Sequence, residues 1–183
     1  PKRLFFERDA ATTENLRAFA TDVQVSEPDA HGLAAVTFGH LVIDLTELEP
    51  LAAAPSSPGN VVPVRQAAGT KVRQVLIGSC TNSSYRDLMT VAQVLDGRTV
   101  HPGVELGIAP GSRQVLEGIS EAHGLARLVH AGARALECAC GPCIGLGFSP
   151  AEGAVSLRTF NRNFPGRSGT RGDAVYLVSP ETA

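Results

Sequence analysis

Three of the four cysteines fall within six residues, in Cys138-Ala139-Cys140-Gly141-Pro142-Cys143-Ile144-Gly145, and the fourth, Cys80, lies in Gly78-Ser79-Cys80-Thr81-Asn82-Ser83-Ser84. The glycines and the proline around the first group exclude a helix or an unbroken strand, so it reads as a tight loop of thiols. In a reducing compartment, closely spaced cysteines bind metal or do redox work more often than they form a disulfide framework. Cys140-x-x-Cys143 is a two-ligand clip. Zinc would close a tetrahedron with four ligands, Cys138 among them, whereas an iron-sulfur cluster could use three thiolates and leave one iron without a protein ligand. A redox pair, or buried small apolar side chains, are the plainer alternatives. The spacing leaves all of these open.

A second stretch with chemistry in it is Asn161-Arg162-Asn163-Phe164-Pro165-Gly166-Arg167. Two guanidinium groups on a glycine-punctuated polar loop suit carboxylate or phosphate recognition, because the planar fork binds an oxyanion in two places at once. Solvated arginines are the bland alternative. Gly107-Ile108-Ala109-Pro110-Gly111-Ser112-Arg113 is a third stretch, a strand running through a turn into a helix start whose free N–H groups could meet an anion, or a well-capped helix and nothing more. The five histidines, 31, 40, 101, 123 and 130, share no ligand-like spacing with each other or with the cysteines. No Gly-x-Ser-x-Gly elbow and no Walker phosphate loop occurs.

The elements that must position these loops alternate. Strands are expected at Val72–Ile77, Val104–Ile108, Ala133–Leu136, Val155–Phe160 and Val175–Val178. Helices are expected at Tyr85–Leu95, from a Ser112 cap to Ala122, and from Gly124 to His130. Such alternation implies an α/β fold, three-layer βαβ units around a mainly parallel sheet. Ligands collect at the carboxyl ends of such strands, and Cys80, Gly111-Ser112, the Cys138 loop and Asn161–Arg167 all follow expected strands. Earlier in the chain, Thr12–Thr21 reads as a short amphipathic helix and Ala34–Leu45 as one or two strands kinked at Gly39. Leu51–Asn60, three alanines and then Pro55-Ser56-Ser57-Pro58-Gly59-Asn60, reads as a loop or linker. The boundary between a lead-in, residues 1–45, and a main domain, residues 46–183, is placed just before it.

At 183 residues, with 43% hydrophobic and 19% charged residues, the chain can bury a core and is not of the disordered type. A formal charge of −2 offers no basic excess for phosphates, which counts against nucleic acid as a partner. The longest apolar run, Leu33 to Ile43, is interrupted by Thr37, Gly39 and His40 and falls short of a membrane span. A cytoplasmic location is expected by default. Both ends read as cuts through a longer polypeptide: there is no initiating methionine, and Ser179-Pro180-Glu181-Thr182 has the makings of a helix cap and first turn.

Taken together, Ile77 to Tyr85, Ala139 to Gly145 and Asn161 to Arg167 resemble, in the same order, motifs of the iron-sulfur domain of the aconitase family. That family includes aconitate hydratases, isopropylmalate isomerase large subunits and homoaconitate hydratases. Pro110-Gly111-Ser112 and Ser179-Pro180-Glu181 fit between and after them, and the resemblance runs from about Asp44 to the end of the chain. It implies that Cys80, Cys140 and Cys143 ligate a 4Fe-4S cluster, with Cys138 behind the ligands. It implies that Arg162 and Arg167 contact the carboxylates of a di- or tricarboxylate hydroxy acid, with Asn82 and Asn161 near the cluster. The reaction implied is a hydro-lyase isomerisation by dehydration and rehydration, with the citrate/isocitrate pair of the tricarboxylic acid cycle ranked first and isopropylmalate or homoaconitate as the alternative. A non-catalytic zinc or iron-sensing module is the reading from another class. The resemblance further implies that residues 1–45 end a preceding domain and that the proton-removing serine sits on a separate swivel domain. This chain by itself would then be a cluster-binding part without the catalytic base.

Overall fold

A computed structural model describes residues 48–183 in full and, ahead of them, the backbone of five short strands between residues 2 and 41. The chain divides into two compact units, Pro1–Leu48 and Glu49–Ala183. In the first, β1 (Lys2–Glu7), β4 (Leu33–Phe38) and β3 (Gln24–Val25) form an antiparallel sheet with β4 in the centre, and β2 (Ala20–Thr21) pairs with β5 (His40–Leu41). The strand-like run expected over Ala34–Leu45 overlaps β4 and contains β5, on either side of Gly39. Of the helix expected over Thr12–Thr21, residues 12–19 lie outside the described residues and Ala20–Thr21 are paired as β2.

The second unit is built on one sheet. Its strands are β6 (Leu51–Ala53), β7 (Val61–Pro63), β8 (Val72–Gly78), β9 (Glu105–Ala109), β10 (Arg134–Ala135), β11 (Val155–Arg158) and β12 (Ala174–Leu177), in the order β10-β9-β8-β11-β12-β6-β7. The pairs from β10 to β12 are parallel, and β6 and β7 add an antiparallel edge. Parallel strands require crossovers: α1 (Tyr85–Val94) supplies the one from β8 to β9, and α2 (Arg113–Glu121) with α3 (Gly124–His130) the one from β9 to β10. Ser84 starts α1 with a capping box, its hydroxyl accepting from the Asp87 N–H (3.2 Å) while Asp87 Oδ2 accepts from the Ser84 N–H (3.0 Å). Ser112 caps α2 by accepting from the Val115 N–H (3.2 Å).

Alternation along the central strand separates two layers of core. Val75 and Ile77 of β8 join Leu106 and Ile108 of β9 under Leu88, Val91, Ile119 and Leu128 of the helices. Leu76 points the other way and meets Cys143, Phe148 and Phe160. The α/β arrangement expected from the sequence is therefore present, with a mainly parallel sheet and helices on one face. Its third layer is irregular chain, the cysteine loop itself.

One expectation is corrected. Leu51–Ala53, expected in a loop or linker, is the strand β6, paired with both β7 and β12, while Pro55–Asn60 is a loop as expected, the turn of the β6–β7 hairpin, closed by the Ala54 N–H on Asn60 O (2.7 Å). Alanines have little intrinsic strand preference, so partners distant in sequence, and not local propensity, place them in the sheet.

Candidate metal centre

Parallel pairing brings the carboxyl ends of β8, β9, β10 and β11 to one edge of the sheet. Cys80 follows β8, Cys138 to Cys143 follow β10, and Asn161 to Arg167 follow β11. Neighbouring strands stand about 4.8 Å apart, so the roots of the two cysteine loops lie about 10 Å apart across β9. The longer loop folds back over the sheet, where Cys143 packs with Leu76, Phe148 and Phe160. Gly107 in β9 leaves the space it needs, since a side chain there would meet the Phe148 ring at 2.9 Å. Leu136 ties the loop's start to Ile108 O (2.8 Å).

The Cys80 loop leaves β8 through backbone that few residues tolerate. Gly78 has φ +153° and lies against the Ala109 main chain, where a Cβ would come within 2.8 Å of Ala109 N. Ser79 follows at φ +71°, a left-handed value that costs a residue with a Cβ about 1–2 kcal/mol. Thr159 holds the turn from the other side: its hydroxyl accepts from the Gly78 N–H (2.8 Å), and its carbonyl accepts from Asn82 Nδ2 (2.8 Å). Asn82 thus fastens the Cys80 loop to the strand that leads into the arginine loop.

Cys80 and Cys140 are exposed, Cys138 is half-buried, and Cys143 is 5% exposed; all four are free thiols. Cys143 sits in a short 3-10 turn, Pro142–Ile144, that ends at Gly145 with φ +82°. Gly145 packs directly on the arginine loop, for a Cβ on it would fall 2.5 Å from Gly169 Cα. Arg167 Nη2 reaches the Cys143 sulfur (4.0 Å), while its Nε is buried without a hydrogen-bond partner. Asn161 and Arg162 are exposed on the same loop. Asn163, 3% exposed, anchors that loop by donating from Nδ2 to Ala54 O (2.7 Å) and Val175 O (3.0 Å).

Among the described residues no three Cys, His, Asp or Glu side chains form a group that would hold a single metal ion. Thiolates on separate corners of a cluster stand farther apart than ligands of one ion. In donor type the cysteines suit such a group, being soft sulfur, and beside Cys143 lies the Arg167 guanidinium with an unpaired buried N–H, which suits an anionic partner.

Sequence reasoning missed Arg158, the last residue of β11 and fully buried. Its Nη1 donates to Pro142 O (2.7 Å), Nη2 donates to Phe148 O and Gln74 Oε1 (both 2.9 Å), and Nε donates to Ser156 Oγ (3.2 Å). Its guanidinium also lies 5.4 Å from the centre of the Phe160 ring. Burial lowers its pKa to about 10, which Asp173 and Cys143 partly oppose. Burial likewise raises the Asp173 carboxyl above its ordinary value, against the pull of Arg158. A signal was available in the alternation Val155-Ser156-Leu157-Arg158, which puts the arginine on the face opposite Leu157.

The profile of the aconitase family (aconitate hydratase) matches residues 65–183. Among similar proteins, 3-isopropylmalate dehydratase large subunit 1 of Methanopyrus kandleri is 46% identical over 159 residues, 86% of this chain and 37% of its own. A protein of the same name from Archaeoglobus fulgidus is 39% identical over 187 residues, 97% of this chain and 42% of its own. The methanogen homoaconitase large subunit of Methanocaldococcus jannaschii is 42% identical over 149 residues, 80% of this chain and 35% of its own. The chain thus spans well under half the length of these relatives. With the family profile covering most of its length and identities of this size, the chain belongs to the aconitase family.

Proposed function

We propose that this chain is the cluster-binding part of a hydro-lyase large subunit that moves a hydroxyl between neighbouring carbons of a small hydroxy acid. Residues 1–45 then belong to a preceding domain, and a swivel domain and a small subunit complete the enzyme. Citrate/isocitrate, ranked first on the resemblance alone, gives way to its alternative: the relatives quoted above carry the names isopropylmalate dehydratase and homoaconitase. A role in the tricarboxylic acid cycle is given up with it.

Cys80, Cys140 and Cys143 would hold the 4Fe-4S cluster. When bound, the group would supply Lewis-acid chemistry that makes hydroxide a better leaving group. The chain's own residues do the rest of the work available here. Arg162 and Arg167 each present a planar fork to a carboxylate, so that the substrate is held in one orientation. Asn161 stands beside Arg162 as a further polar contact, and Asn82 keeps the Cys80 loop in register with the arginine loop. The buried shelf of Leu76, Phe148 and Phe160 keeps water from the rear of Cys143.

The observation that carries this reading is the meeting of the two loops, Gly145 on Gly169 and Arg167 Nη2 on the Cys143 sulfur. A carboxylate-binding arginine beside a metal-binding thiol joins substrate recognition to the reacting centre. The test is anaerobic reconstitution with iron and sulfide, followed by analysis for both. Iron and acid-labile sulfide should be retained by the chain and lost in Cys140→Ser. Absence of iron uptake, or tight stoichiometric zinc that requires Cys138, overturns the reading.

A further inference from the structure

Arg158 has no part in the chemistry proposed above, yet it is the largest fully buried side chain of the second unit. A charge taken fully out of water is costly unless hydrogen bonds replace its hydration. The partners that do so here are informative. Two are carbonyls of the cysteine loop, Pro142 O immediately before Cys143 and Phe148 O beyond it. The other two, Gln74 Oε1 and Ser156 Oγ, belong to β8 and β11. Gln74 in turn donates from Nε2 to Ser149 O (3.2 Å), and Ser149 Oγ donates to Gly145 O (2.6 Å). A rigid fork at the end of β11 therefore bolts both arms of the thiol loop to the sheet.

We propose that Arg158 is a positioning residue that sets the Cys140–Cys143 turn in its ligating shape before any metal arrives. The proposal rests on the cluster reading for its purpose but not for its geometry. A loop with five glycine or proline residues from Gly141 to Pro150 has much conformational freedom to lose, and apolar contacts from Cys143 and Phe148 fix only two points along it. The guanidinium fixes the main chain itself at both of these points, through Pro142 O on the peptide unit that enters Cys143 and through Phe148 O, and so sets the direction in which the turn presents its sulfurs. Lysine, with one compact head in place of a planar fork, can recover one of the two carbonyl bonds but not both.

The experiment uses the unaltered chain, Arg158→Met and Arg158→Lys. In the metal-free proteins the rate of alkylation of each cysteine is followed by peptide mass mapping, and in the reconstituted proteins the loss of iron to a chelator. The expected result is that Cys143 in Arg158→Met is alkylated about tenfold to a hundredfold faster, the scale of losing hydrogen bonds to a charged group, while Cys80 is unchanged. Iron should leave faster too, with Arg158→Lys between the other two. Alkylation of Cys143 at the unaltered rate in a cooperatively folded Arg158→Met protein overturns the proposal, as does acceleration of Cys80 to the same degree. If Arg158→Met does not fold, Arg158→Lys and amide exchange of the unaltered chain decide. The Ile144 and Leu146 amides, both bonded to Gly141 O, should exchange on the order of a hundredfold slower than in a free peptide; free-peptide rates overturn the proposal. A chain that takes up no iron refutes the cluster reading and leaves the alkylation rates to judge Arg158.

Discussion

Gly145→Ala strikes the point where the thiol loop meets the arginine loop, and the structure sets its size. Gly145 has φ +82°, and its new Cβ would lie 2.5 Å from Gly169 Cα and 2.6 Å from Gly169 N, main-chain atoms with no side-chain freedom to move aside. Left-handed strain costs about 1–2 kcal/mol, and the overlap adds about 1–3 kcal/mol. Against this, alanine restricts the unfolded chain and returns about 0.4–1 kcal/mol. The net loss is about 2–4 kcal/mol, a large part of a typical 5–15 kcal/mol stability. Gly147→Ala is the control: φ is similar at +77°, but nothing lies within 4 Å, so only about 0.5–1.5 kcal/mol should be lost. In urea, at a slope of about 2 kcal/mol/M, the first variant should unfold roughly 1–2 M earlier and the second less than about 0.8 M earlier. Equal midpoints for the two variants would show that the loops do not touch as described, and the site built on their contact would fall with it.

Replacing Cys80, Cys140 or Cys143 by serine should each abolish retention of iron and sulfide after reconstitution, whereas Cys138→Ala should retain both. Asn163→Ala removes a buried amide that spans β6 and β12, and calorimetry should find the unit less stable by about 2–3 kcal/mol. Ser84→Ala breaks the capping box of α1 and should lower stability by about 1 kcal/mol, without affecting iron uptake. Asp173 has a raised carboxyl pKa in the folded state, so its contribution favours the fold below the ordinary carboxylate value and is lost as pH rises through the raised one. Asp173→Asn should remove that downward component from a plot of unfolding midpoint against pH.

Much of the molecule could be read from the residues because the relevant physics is local. Alternating and helical periodicities placed β8, β9, α1 and α2, with Ser84 and Ser112 at the helix starts. The order of elements then dictated a parallel sheet with every suspect loop at one edge, since a parallel pair needs a crossover and crossovers leave the carboxyl ends together. Cysteine type and spacing were likewise enough to single out the thiols. What the sequence could not decide were matters of partnership between distant segments. The alanines of β6 carry no strong preference and became a strand only because β7 and β12 offered unpaired edges. Asn82, expected beside the cluster, has its amide committed to Thr159 O across 77 positions of chain. Arg158 looked like one more charged residue, and only the folded sheet, by closing over it, made its guanidinium the support of a loop that starts twenty residues earlier. Burial and long-range hydrogen bonds are properties of the assembled chain, so no window of sequence contains them.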